Sequence, residues 1–94
     1  MNTNAYWAAI GLLLAAVILP VLGQQTAEDW YNKGAVLYAQ GKYDDVITCF
    51  DEAIRLNPNL AEAWYGKGVA LGLLGRNTDA QEAYAKAREL GYTG

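Results

Sequence analysis

The chain repeats itself. Displaced by 34 residues, segment 27–60 lies without a gap over segment 61–94. Ala27, Glu28, Trp30, Tyr31, Lys33, Gly34, Leu37, Gly41, Asp45, Ala53 and Leu56 each meet an identical residue, and Phe50 meets Tyr84. A period of this size belongs to supersecondary units that cannot bury an apolar face alone and stack to do so. It excludes most other architectures before any single helix is considered.

Each copy reads as two helices. The first runs over about 27–40 and stops at Gly41; the second runs over about 44–56 and stops at Asn57-Pro58, because proline cannot continue a helix and restricts the residue before it. In the second copy Asn59 and Glu62 have the spacing of a capping box, and the last helix opens near Thr78 in a similar form. That helix ends at Leu90-Gly91, where glycine suits a left-handed C-cap. Val46, Ile47, Phe50 and Ile54 recur at helical spacing and give the first copy's second helix a broad apolar face. In the second copy the aligned residues are Ala80, Gln81, Tyr84 and Arg88, so that face turns polar, as a terminal repeat requires.

These residues resemble the tetratricopeptide repeat family. The first copy supplies Trp30, Gly34, Leu37, Phe50, Ala53 and Pro58 to the family pattern, with Val46 in an alanine place and Lys33 in a leucine place. The second supplies Trp64, Gly68, Leu71, Ala80, Tyr84 and Ala87, with Lys67 in the leucine place and Tyr92 where proline is expected. The resemblance implies an all-α fold: an α-solenoid of two helix-turn-helix repeats, four antiparallel helices, with repeats at 27–60 and 61–94 behind a short linker at 24–26. It also implies that Gly34 and Gly68 hold the small positions where paired helices approach, and that Gly41 and Gly75 lie in turns. Gly66 and Gly72 have no such assignment. Each costs a helix about 1 kcal/mol relative to alanine. Either they open a groove floor to a ligand backbone, or they are tolerated in a marginal helix.

Ahead of the repeats, residues 5–23 carry no charge and are mostly apolar. About 20 residues of helix span a bilayer core, and the run lacks the polar face of an amphipathic helix. Two readings stand: a transmembrane anchor, or a signal peptide broken at Pro20 and cleaved after Gly23. Either places the repeats outside the cytoplasm, membrane-anchored in the first case and secreted in the second.

All charged side chains follow residue 23, with seven Lys and Arg against ten Asp and Glu, net −3. No basic stripe exists to hold nucleic acid. Histidine and serine are absent and Cys49 is the single cysteine, so an activated nucleophile lacks its usual base; Cys49 is expected in the core. Asp44-Asp45 and Asp51-Glu52 are sequence neighbours that point apart on a helix. The first pair suits a helix N-terminus, and Asp51 is spaced to pair with Arg55. No catalytic residue, metal site or cofactor is expected.

The resemblance places a concave groove on the first helices: Glu28, Tyr31, Asn32, Ala35, Tyr38 and Ala39 from one copy, Glu62, Tyr65, Gly66, Val69, Gly72 and Leu73 from the other. Some family members clamp a peptide's terminal carboxylate there with Lys, Asn and Arg. Tyr31, Ala35 and Gly66 stand at three such positions and only Asn32 keeps a suitable group, while Glu28 and Glu62 repel an anionic end. A neutral or basic peptide is the expected partner, held by Tyr31, Tyr38 and Tyr65. The alternative is a structural subunit whose repeat ends stack between chains, since about three repeats are usually needed for stability. Self-association, the N-terminal segment or a partner would supply the missing contacts.

Overall fold

A computed structural model describes residues 25–94. The segment read above as a signal or anchor lies outside the described residues, and no described helix is long and apolar enough to cross a membrane. Four helices follow in order: α1 (Ala27–Ala39), α2 (Tyr43–Leu56), α3 (Ala61–Leu73) and α4 (Asn77–Glu89). Both ends of α3 lie 34 residues after those of α1, so the sequence period is also the structural one. Contacts run between consecutive helices, α1 with α2, α2 with α3 and α3 with α4, as in a quasi-linear array.

The turns follow from three glycines. Gly41, Gly75 and Gly91 have φ of 75°, 80° and 99°, the left-handed region that a Cβ disfavours. The Lys42 N–H donates to the Leu37 carbonyl at 3.0 Å and Arg76 N–H to Leu71 at 2.9 Å, closing the first-to-second helix turns. Between α2 and α3, the Asn59 N–H donates to Asn57 Oδ1 at 3.1 Å, and the Trp64 indole N–H donates to the Pro58 carbonyl at 2.9 Å.

The helix starts differ from the sequence expectation. A reciprocal capping box closes α1, where the Asp29 N–H donates to Thr26 Oγ1 at 3.1 Å and the Thr26 N–H donates to the Asp29 carboxylate at 3.0 Å. The Asn59–Glu62 box does not form. Leu60 occupies the cap of α3 and no side chain closes it, because Asn59 belongs to the preceding turn. Helix α4 starts at Asn77 behind Arg76, also without a side-chain cap; the Asp79 carboxylate pairs with the Arg76 guanidinium at 2.8 Å. Nor does Asp51 pair with Arg55. Arg55 takes Glu52 at 3.0 Å, while Asp51 faces α3 and holds Lys67 Nζ at 2.7 Å.

The core centres on Phe50. Val46, Phe50 and Ala70 are buried together, with Tyr31, Leu37, Tyr43 and Ile47 packed around them. A second cluster joins Leu71, Ala80 and Ala83 with Ile47, Trp64 and Tyr84. The Phe50 ring lies between two glycines on different helices. A Cβ added at Gly34 would meet it at 2.6 Å and one at Gly66 at 2.5 Å, on opposite edges of the ring. The ring cannot yield to one without striking the other. Gly66 is therefore a packing glycine of the α2/α3 junction. Gly68 repeats the Gly34 contact, with Tyr84 at 2.6 Å. An added Cβ at Gly72 would lie 3.8 Å from the nearest atom, so only that glycine is a tolerated cost.

Two opposite outcomes are expected in urea titrations. Overpacking costs about 1–3 kcal/mol, against a helix gain near 1 kcal/mol. Gly34→Ala and Gly66→Ala should thus lower stability, by up to about 2 kcal/mol, whereas Gly72→Ala should raise it by roughly 0.5–1 kcal/mol. A stabilised Gly66→Ala would refute the clamp on Phe50.

Candidate functional site

The first helices α1 and α3 lie side by side with α2 behind them. Residues at 3- and 4-spacing on their open side form one face. Between them is a concavity of about 440 Å³ lined by Tyr31, Ala35, Tyr38, Phe50, Tyr65, Gly66, Val69 and Tyr92. Six of these were named from sequence: Tyr31, Ala35, Tyr38, Tyr65, Gly66 and Val69. Six others do not line it. Glu28, Asn32, Ala39 and Glu62 are exposed on the same two helices, Leu73 is exposed, and Gly72 packs beside Tyr84 and Ala80.

Two wall residues were not anticipated. Phe50, though only 4 % exposed, reaches the base of the concavity where its ring passes between Gly34 and Gly66. Tyr92 arrives from the C-terminal segment. Gly91 turns the chain at the end of α4, and the Tyr92 N–H donates to the Ala87 carbonyl at 2.9 Å. The Tyr92 ring then stacks on Tyr65 at 4.4 Å between centroids, with planes 23° apart. Its departure from the expected proline was the only sequence signal of this role. Beyond it lies a second hollow of about 560 Å³, lined by Tyr65, Tyr84, Arg88, Tyr92, Thr93 and Gly94.

The aromatic residues are not equivalent. Tyr31 stacks on Phe50 at 5.4 Å and is half-buried in the core cluster. Tyr38 is 42 % exposed and Tyr65 37 %, so these two offer more surface to a partner than Tyr31 does. Tyr38 leans on Tyr43 and Tyr65 on Tyr84, at 5.6 and 5.4 Å. The two lysines at the family's leucine places lie over indoles, Lys33 at 5.0 Å from the Trp30 centroid and Lys67 at 5.7 Å from that of Trp64. Their stems cover apolar surface while the charged heads reach water or Asp51.

No charged side chain lines the concavity itself. The Tyr92 hydroxyl is held above the ordinary phenol value by desolvation, then by Tyr65, Tyr31 and Glu62, so the field of Glu62 reaches this wall. Burial raises Tyr84 likewise, helped by Tyr65 and Tyr38. Cys49, at 3 % exposure, sits in the core as expected, and burial pushes its thiol up against a smaller lowering by Lys33. A raised thiol is a poor nucleophile near neutrality.

These shifts fix an alkaline limit. Cys49 and Tyr84 titrate higher folded than unfolded, where their values are near 9.0 and 10.0. Their stabilisation is complete below those values and is lost as pH rises through the folded ones. Urea midpoints should hold steady from pH 7 to the unfolded thiol value, then fall, and Cys49→Ala should remove the earlier part of the fall. Midpoints that rise with pH in this range would contradict the burial of both groups.

No curated protein matches the chain. Two tetratricopeptide repeat family models do, one over residues 27–60 and one over residues 49–82. The first spans α1 and α2. The second begins inside α2 and ends in α4, taking in the α2/α3 junction, as a repeating array permits. Such repeats generally mediate protein–protein interaction and are typically non-catalytic. Together the matches cover 27–82, more than half of the sequence, and the chain belongs to the tetratricopeptide repeat family.

Proposed function

We propose that this protein is a non-catalytic docking module, with repeats at 27–60 and 61–94, that holds a neutral or basic polypeptide segment against the open face of α1 and α3. The observation that carries the reading is the aromatic concavity between Tyr31, Tyr38, Phe50, Tyr65 and Tyr92. Tyrosine gives a large contact at low entropic cost, with a polar tip for a backbone group. Glu28 and Glu62, exposed in the first turns of α1 and α3, favour a cation over a carboxylate. A lysine or arginine from the partner would find aromatic faces and nearby carboxylates together.

Tyr38 and Tyr65 are the residues to remove, because Tyr31 supports Phe50 and its loss would confound binding with stability. Fluorescence anisotropy with basic, neutral and acidic peptides of one length should rank them in that order. Tyr38→Ala with Tyr65→Ala should weaken the basic peptide by roughly tenfold or more, an aromatic hot-spot effect above about 1 kcal/mol, with the helical circular dichroism unchanged. Equal affinity for the acidic peptide, or binding untouched by the double substitution, would exclude this groove.

We further propose that residues 5–23 place the module outside the cytoplasm, as an anchor or as a signal removed before Gln24. Intact mass from fractionated cells separates the two. A full-length mass in membranes gives the anchor, and a mass beginning at Gln24 in the exported fraction gives the cleaved form. A full-length mass in the soluble cytoplasmic fraction would exclude both.

A further inference from the structure

The junction between α2 and α3 and the two outer faces of the array are made from equivalent positions. At the junction α3 presents the stripe Ala63, Gly66, Lys67 and Ala70. Ala63 and Ala70 are 0 % exposed, Gly66 receives the Phe50 ring, and Lys67 holds Asp51. The same stripe on α1 is Asp29, Asn32, Lys33 and Val36. All four are exposed, Val36 at 59 %. On the other side, α2 brings Ile47, Phe50 and Asp51 to the junction, and α4 carries Gln81, Tyr84 and Ala85 at those places.

We infer that two copies of this chain cannot extend the array end to end: the α1 face rejects the α4 face in the register that joins α2 to α3. Three differences act together. Tyr84 of one copy would bring its ring to the place where even a Cβ is too close, since the Gly66 position already meets Phe50 at 2.5 Å. On α1 that position is Asn32, a Cβ with a carboxamide beyond it. The Tyr84 ring has no retreat, because Gly68 of its own chain lies against its inner edge, with 2.6 Å to an added Cβ.

The second difference is electrostatic. Asp29 would take the fully buried place of Ala63. Its carboxylate is engaged by the Thr26 N–H in the cap of α1, and burying it without a charge partner is unfavourable. The third is a lost ion pair. Lys33 would face Ala85, so the contact made by Lys67 and Asp51 at 2.7 Å has no counterpart. One exposed valine does not offset these. The stacking of copies considered from the sequence is thus opposed at the residues that would have to meet.

Crosslinking reads this contact directly in the full-length chain, independently of any association through residues 5–23 and of what the groove binds. In a Cys49→Ala background, Val36→Cys and Ala85→Cys place one thiol on each outer face. A short bismaleimide then yields a ladder on a denaturing gel where an α1 face meets an α4 face, and chains carrying Val36→Cys alone or Ala85→Cys alone report contacts between like faces. With the other native residues kept, no ladder is expected. Adding Asp29→Ala and Asn32→Gly should produce one. Asn32→Gly alone, which leaves the Thr26–Asp29 cap intact, should produce a weaker one and serves if the fuller variant loses helicity. A ladder from the native faces would overturn the inference. So would its absence from an opened face that keeps its helical circular dichroism.

Discussion

The structure depends on one aromatic ring held between two helices that have no side chain to offer it. Phe50 projects from α2 and meets the bare backbone of α1 at Gly34 and of α3 at Gly66. That contact fixes how near α1 and α3 approach α2, and hence how near they lie to each other. Cores of this density transmit small volume changes, so the spacing of the first helices is set by two hydrogen atoms in place of two methyl groups. Glycine weakens each helix locally, and the buried ring compensates by joining three helices at once.

The groove is a consequence of the same contact. With no side chain at Gly34 or Gly66, the buried Phe50 ring fits between α1 and α3 at the base of the concavity. Tyr31 stacks on it, which makes this tyrosine part of the core as well as part of the wall. Tyr38 and Tyr65 stay outside the buried cluster and are partly exposed. The face has a graded character, from structural at Tyr31 to available at Tyr38 and Tyr65. Tyr92 divides what would otherwise be one trough into two hollows, because the turn at Gly91 lays it on Tyr65.

The junction also explains how an array of near-identical units avoids adding to itself. Repeats stack because their faces match, and a second copy offers the same faces. Here the positions that join α2 to α3 carry different residues where their equivalents face outward. Gly66 has Asn32 as its equivalent, Ala63 has Asp29, and Ile47 has Gln81. The inner surfaces keep the apolar and small residues that the outer ones have exchanged.

The sequence by itself determined the helices, their pairing and the period: Gly41, Gly75, Gly91 and Pro58 mark where helices stop, and a 34-residue repeat can bury its apolar face only by stacking. Six of the eight residues around the concavity were legible through the family resemblance, which places the concave face on the first helices. The tertiary structure decided the rest. Gly66 reads alone as a gap or a weak point, and only the position of Phe50, sixteen residues away and on another helix, makes it a contact. Asp51 had Arg55 within reach on its own helix, yet a lysine on the next helix lies closer to its carboxylate. Asn59 and Glu62 had the spacing of a cap, but the turn into α3 used the first of them. Tyr92 gains its place from a turn that brings distant rings together. Each of these depends on which side chains from different helices arrive at one point in space, and a helical period carries no information about that.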